Sequence, residues 1–222
     1  MLRFLVGILL CVSGCSFFAP ANIQTKRSTD LDSRGIKRIA VVLPNGKAPE
    51  QTAQATYAST PPEKGPSEGE LSELLARLVY STMASMPNWQ IVSESEVREV
   101  GQSIPPGADM ARLRKIGEMV YADALIVGRV ERYRERIGNE WGAKSPASVA
   151  FALNLIDVRR GDVIWSARFE ETQKPLSENI FALGQVGQRG IRWLSAEQLT
   201  HEGVKKAVAE LHQILVRSPA AS

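Results

Sequence analysis

The chain has 222 residues, 44% of them hydrophobic and 23% charged, which is enough for one domain with a sizeable core. Lys and Arg number 27 against 24 Asp and Glu, giving a formal net charge of +3. These charges are interspersed, with none of the concentrated basic stripes that grip nucleic acid, so no nucleic-acid partner is expected.

Met1-Leu2-Arg3 supplies a short positive start, and Phe4 to Val12 (FLVGILLCV) is an apolar run followed by the small residues Ser13 and Gly14. This is the layout of a secretory signal peptide, and the run is well short of the roughly 20 residues a membrane-spanning helix needs. Val12-Ser13-Gly14-Cys15 resembles the lipobox of bacterial lipoproteins. The resemblance implies cleavage before Cys15, diacylglycerol on its thiol and acylation of the new amino terminus. Cys11 fits less well, because Leu10 stands where that family's peptidase takes a small residue. No other cysteine exists, so the mature chain has no free thiol, disulfide or cysteine metal ligand. Each buried acyl methylene contributes about 0.8 kcal/mol, and two or three chains hold a protein on a membrane permanently. Ser16, by the same resemblance, points to the outer membrane, periplasmic face.

Residues 16–35 lack periodicity and are read as a flexible tether. Lys37 to Leu43 (KRIAVVL) is a continuous apolar run, the mark of a strand buried on both faces. Residues 45–69 are rich in Pro, Gly, Gln, Thr and Ala and are read as a long loop. Leu71, Leu74, Leu75, Leu78, Val79, Thr82, Met83 and Met86 then recur at helical spacing until Pro87. Trp89 to Val92 is a short strand, and Ser93 with Glu96 marks the start of a small helix. Asp109 caps a helix carrying Met110, Leu113, Ile116, Met119 and Val120, and Ala122 to Tyr133 forms a third strand.

Val149, Phe151, Leu153 and Leu155 alternate with small or polar residues, and Val163, Trp165, Ala167 and Phe169 do so on the return. Arg159-Arg160-Gly161-Asp162 turns between them, which predicts a hairpin. Residues 175–195 read as a short helix plus turns, and Leu199, Val204, Val208, Leu211 and Leu215 lie along one face of a final helix. The order predicts an α/β domain: a mixed sheet flanked by helices, βαβ in its first half and an antiparallel meander in its second. The expected organisation is signal peptide 1–14, lipidated cysteine and tether 15–35, periplasmic domain 36–217 and tail 218–222.

The motifs that suggest chemistry are better explained structurally. Gly138 to Ser145 has the outline of a phosphate-binding loop, but Ala143 fills the glycine position before Lys144 and a strand follows. Gly184, Gly187 and Gly190 lack dinucleotide-binding spacing. His201-Glu202 opens like a zinc-protease motif, yet Lys205 stands where the second ligand belongs, and His212 lies about three turns away. Asp157 and Asp162 flank the hairpin turn, where turn chemistry accounts for them. No catalytic residue, metal site or cofactor is expected. Trp141, Arg192 and Trp193 are candidate partner contacts, with core packing the alternative for Trp193.

At the level of pattern, Arg38 to Pro44, Tyr121 to Gly128 and Leu155 to Ser166 resemble the first strand, third-strand opening and hairpin of a group of bacterial envelope proteins. The group includes the curli-secretion channel lipoprotein, the lipoprotein activators of penicillin-binding proteins and the amino-terminal domain of TolB. The resemblance spans roughly residues 36–172 and implies a docking or assembly domain, with no catalytic residue carried over. The short, charged joint at 134–147 departs from the long amphipathic hairpins of the curli channel, so no pore is expected. The expected function is that of a non-enzymatic, lipid-anchored adaptor for envelope proteins. The alternatives are a self-assembling or secretion-complex subunit and, third, an envelope hydrolase.

Overall fold

A computed structural model describes residues 22–42, 65–105, 109–140, 142–173 and 193–217. Val12, Ser13, Gly14 and Cys15, most of the 45–69 loop, the stretch from 175 to 192, Trp141, Arg192 and the tail lie outside the described residues.

The run that reads as doubly buried forms β2 (Arg38–Val42), in which Ile39, Ala40, Val41 and Val42 are all buried. It pairs in parallel with the two-residue β3 (Gln90–Ile91) on one side and with β4 (Ala124–Arg134) on the other. Beyond β4 the sheet becomes antiparallel through β7 (Ser148–Asp157) and β8 (Val163–Thr172), joined at the expected turn. The outermost strand, β1 (Ile23–Arg27), completes the order β1-β8-β7-β4-β2-β3. The fold class is the one expected, a mixed sheet flanked by helices.

Helix α1 (Glu68–Ala84) starts at a reciprocal capping box: the Ser67 hydroxyl accepts from the Glu70 amide, and the Glu70 carboxylate accepts from the Ser67 amide at 2.7 Å. The end of the stretch read as loop therefore belongs to a helix start. Helices α2 (Glu94–Ser103) and α3 (Met110–Met119) are capped as the sequence suggests, by Ser93 and by Asp109, whose carboxylate accepts from the Arg112 amide at 2.8 Å. In α4 (Ala196–Arg217), Ser195 and Gln198 exchange side-chain and backbone bonds at 2.9 and 3.1 Å in the same way.

These helices cover the sheet unequally. Helices α1 and α4 pack on one face along its whole width, with Leu75, Val79, Met83, Leu199, Val204 and Val208 against Val149, Phe151, Leu153 and Phe169. Helices α2 and α3 cover the other face only over β2 and the first half of β4, where Val97, Leu113 and Ile116 meet Ala40, Leu125 and Ile156.

Two expectations need correction. Residues 22–35 do not behave as a tether: β1 pairs with β8, Leu31 is fully buried and Arg34 is buried as an ion pair. The polar segment IQTKR conceals a strand because its edge position buries little and its partner lies about 140 residues away in sequence. The joint at 134–147 also holds structure, a small second sheet of β5 (Ile137–Gly138) and β6 (Ala143–Ser145). The stretch with the outline of a phosphate loop is thus a hairpin, and Gly138 at φ +118° permits the close approach of the Gly142 carbonyl.

Candidate interaction surfaces

Strand β7 alternates by design of its sequence. Val149, Phe151, Leu153 and Leu155 enter the core, while Ala150, Ala152 and Asn154 face the side that α2 and α3 leave uncovered. Their neighbours there are Arg129, Glu131 and Arg132 on β4 and Ser166, Arg168 and Glu170 on β8. The long side chains reach across β7 and join. Arg168 binds Glu131 at 2.8 Å and Glu170 at 3.1 Å, Arg129 binds Glu131 at 2.9 Å, and Arg132 binds Glu170 at 2.8 Å. Arg132 also donates to the Ser148 hydroxyl at 2.8 Å. The small Ala150 and Ala152 leave room for guanidinium groups to lie over the strand, and their stems shield it from water.

This Arg129–Glu131–Arg168–Glu170–Arg132 chain sets its own electrostatics. Burial pulls the Glu131 carboxyl up, but Arg168 and Arg129 outweigh it and hold the group below its ordinary value. Arg132 is the largest influence lowering Glu170, and Glu131 the largest raising Arg168. Both carboxylates therefore stay charged in mild acid. The arrangement offers a flat, polar, preformed surface of alternating sign rather than a cavity with convergent reactive groups.

A second constellation sits at the hairpin turn. The Arg34 guanidinium reaches Asp157 and Asp162 at 2.8 Å each, and Asp30 at 2.8 Å. Asp157 also accepts from the amides of Arg159 and Arg160 at 2.8 and 3.0 Å. Burial raises the Asp157 pKa, but the Arg160 amide, Arg34 and the Arg159 amide together bring it below the ordinary value. Asp162 and Asp157 hold Arg34 protonated. The two aspartates read as turn residues are indeed brought together, and they clasp the amino-terminal segment. Asp30 is a near neighbour of Arg34, but Asp157 and Asp162 lie more than 120 residues away, so the clasp carried no local signal in the sequence.

Trp193 is half-buried; its amide donates to the Glu140 carbonyl at 2.9 Å and its carbonyl accepts from the Arg136 guanidinium. Its backbone thus joins the start of α4 to the β5–β6 hairpin. His201 is exposed, while the His212 ring lies 2.8 Å from the Pro87 carbonyl and edge-on to Trp89. Among the described residues no group of three or more His, Cys, Asp or Glu could hold a metal ion, and no helix is long and apolar enough to cross a membrane.

The class that this topology defines is a mixed α/β domain in which, among the described residues, no helix covers one half of one sheet face. No family model matches the chain, and no curated protein matches it significantly. Among solved structures it is similar to the PelC dodecamer protein from Paraburkholderia phytofirmans, at 16% identity over 86% of this chain and 96% of that one, with a TM-score of 0.46. It is also similar to the carboxy-terminal domain of LpoB from Salmonella enterica, at 16% identity over 63% and 84%, TM-score 0.35. A lipoprotein from Neisseria meningitidis matches at 17% identity over 69% and 97%, TM-score 0.39. With TM-scores below 0.5, none of the three assigns a role or a residue to this chain.

Proposed function

We propose that this protein is a lipid-anchored envelope adaptor, held by Cys15 on the periplasmic face of the outer membrane, that binds or assembles other envelope proteins without catalysing a reaction. The observation that carries the reading is the open half-face over β7, where an Arg–Glu chain takes the place of a helical layer. Interfaces use arginine and fixed charge patterns to choose partners, and a surface of alternating sign suits a partner with the complementary pattern. Chain length supports the placement. Seven residue-to-residue steps lead from Cys15 to Asn22, so the start of the described domain stays within roughly 25 Å of the anchor even when that link is fully extended.

The test is a photo-crosslinking residue at Ser166 or Asn154 in living cells. The expected result is a discrete heavier product containing a second envelope protein, lost when Cys15→Ser releases the chain from the membrane. Capture of nothing but copies of the same chain would defeat the adaptor reading. That outcome would favour a self-assembling subunit, for which β1 supplies a specific feature: among the described residues it is the last strand of its sheet, and no described strand pairs with its outer edge. Mass measurement of the purified protein separates the two.

A further inference from the structure

Helix α3 ends in a geometry made for glycine. The Tyr121 amide donates to the Glu118 carbonyl at 3.2 Å and the Ala122 amide to the Gly117 carbonyl at 2.9 Å, the paired bonds of a Schellman motif. The residue between them, Tyr121, takes φ +52°, where a side chain is sterically disfavoured. A buried ring would offset that cost by packing. This one does not, for Tyr121 is 83% exposed, the highest value among the exposed large hydrophobic residues that are described. A strained position occupied by a bulky residue that gains no burial points to a contact made outside the chain.

The surroundings indicate what kind. Tyr121 stands at the foot of β4, between the feet of β2 and β7 in the sheet order. Lys37 lies on the β2 side, its amide bonded to the Asp123 carboxylate at 2.9 Å. Arg159 lies on the β7 side, next to Val158, whose amide bonds the Asp123 carbonyl at 3.0 Å. Both cationic side chains are exposed, and among the described residues neither forms an ion pair; the Arg159 guanidinium donates to the Arg34 carbonyl at 3.2 Å, a neutral acceptor that leaves its charge uncompensated. The acids nearby are already engaged: Asp123 accepts from the amides of Lys37 and Arg38, and Glu118 faces Arg114 at 3.8 Å. Met119, two residues earlier in the chain, is 42% exposed.

We infer that Tyr121, with Lys37 and Arg159 on either side, is a docking surface for an acidic segment of a partner protein. An aromatic anchor between two cations that have no carboxylate partner among the described residues is the composition of an interface hot spot that selects carboxylates. This pole is the one remote from the anchored end of the domain. Ile23, where the described chain begins its first strand, is level with Phe169, six residues along β8 from Val163 and so about 20 Å from the pole that holds Tyr121. This part of the argument rests on the lipid-anchored reading; the experiment does not.

Full-length protein in detergent is titrated with fluorescent hexaglutamate and hexalysine peptides, and thermal unfolding is followed in parallel. The expected result is binding of hexaglutamate alone. Tyr121→Gly weakens it about tenfold or more while raising Tm by about 2–4 °C, because glycine accepts the left-handed conformation. Lys37→Glu with Arg159→Glu abolishes it. Unchanged binding by Tyr121→Gly overturns the proposal, and so does a lower Tm in that variant, which would make the ring a structural element. Tyr121-dependent binding to purified peptidoglycan sacculi, with none to the peptide, would replace the acidic protein by a glycan and overturn it as well. Cys15→Ser should bind the peptide as the wild type does, so a failure of the lipid-anchor reading is separately visible.

Discussion

The two halves of the central sheet obey different rules although they share β4. In the half built from β2, β3 and the start of β4, the strands run parallel and helices lie on both faces, so every side chain of Ile39 to Val42 is buried. In the half built from β7, β8 and β1, the strands are antiparallel and the described helices lie on one face only, so residues alternate between Phe151 or Phe169 inside and Arg168 or Glu170 outside. Parallel pairing requires crossover helices, which then cover the sheet, whereas a hairpin needs only a turn and leaves a face to water. The half without a second helical layer is where this molecule has freedom to place charge.

Substitutions can break this contrast in graded steps. The largest effect is expected at Arg34, which fastens the edge segment to the hairpin turn. Arg34→Ala leaves the buried Asp157 carboxylate without its guanidinium and should cost about 2–4 kcal/mol in denaturant unfolding. The sign of the pH dependence follows from Asp157. Its folded pKa lies below the unfolded value, so its contribution is complete above the ordinary carboxylate range and disappears as pH falls through the lowered value. Wild-type stability should therefore decline in acid more steeply than that of Arg34→Ala.

Next come the tight contacts beneath helices. A Cβ on Gly203 of α4 would lie 2.7 Å from the Phe169 ring and 2.8 Å from the Phe151 ring, and one on Gly117 of α3 would lie 2.5 Å from a Val158 methyl. Gly203→Ala and Gly117→Ala should each destabilise by about 1–3 kcal/mol through overpacking, measured by urea unfolding. On the open half the same kind of enlargement, Ala152→Val, meets the half-exposed arginine side chains of the charge chain, which can shift outward, and should change stability by less than about 1 kcal/mol. The smallest effect is expected in the charge chain. Arg168→Gln should cost roughly 0.2–1 kcal/mol, a difference that shrinks in high salt because the groups are half-exposed. A loss from Ala152→Val as large as that from Gly117→Ala would mean the open half is packed like the covered one.

Legibility divided along the same line. The continuous run at Ile39–Val42, the alternation of Val149 to Leu155 and the caps at Ser93 and Asp109 all act through near neighbours, and each predicted its element. The Ser67–Glu70 box was equally readable but lay within a stretch whose Pro and Gly content suggested loop. β1 was invisible because five mostly polar residues become a strand only through the edge that β8 offers. The Arg34 clasp and the charge chain over β7 were hidden for a similar reason, since alternation tells that Arg168 faces outward but not which acid it will meet.

Local patterning by itself determined the two kinds of strand, the helix starts and the hairpin, because side-chain periodicity and capping depend on residues a few positions apart. It also marked Cys15 as the expected anchor, a reading carried by residues 12–15 alone. Tertiary structure decided which sheet face stays bare, where the amino-terminal segment docks, and that Tyr121 stands exposed in a position shaped for glycine. Those outcomes depend on groups separated by tens to more than a hundred residues, whose meeting is set by strand order and helix coverage rather than by any short stretch of chain.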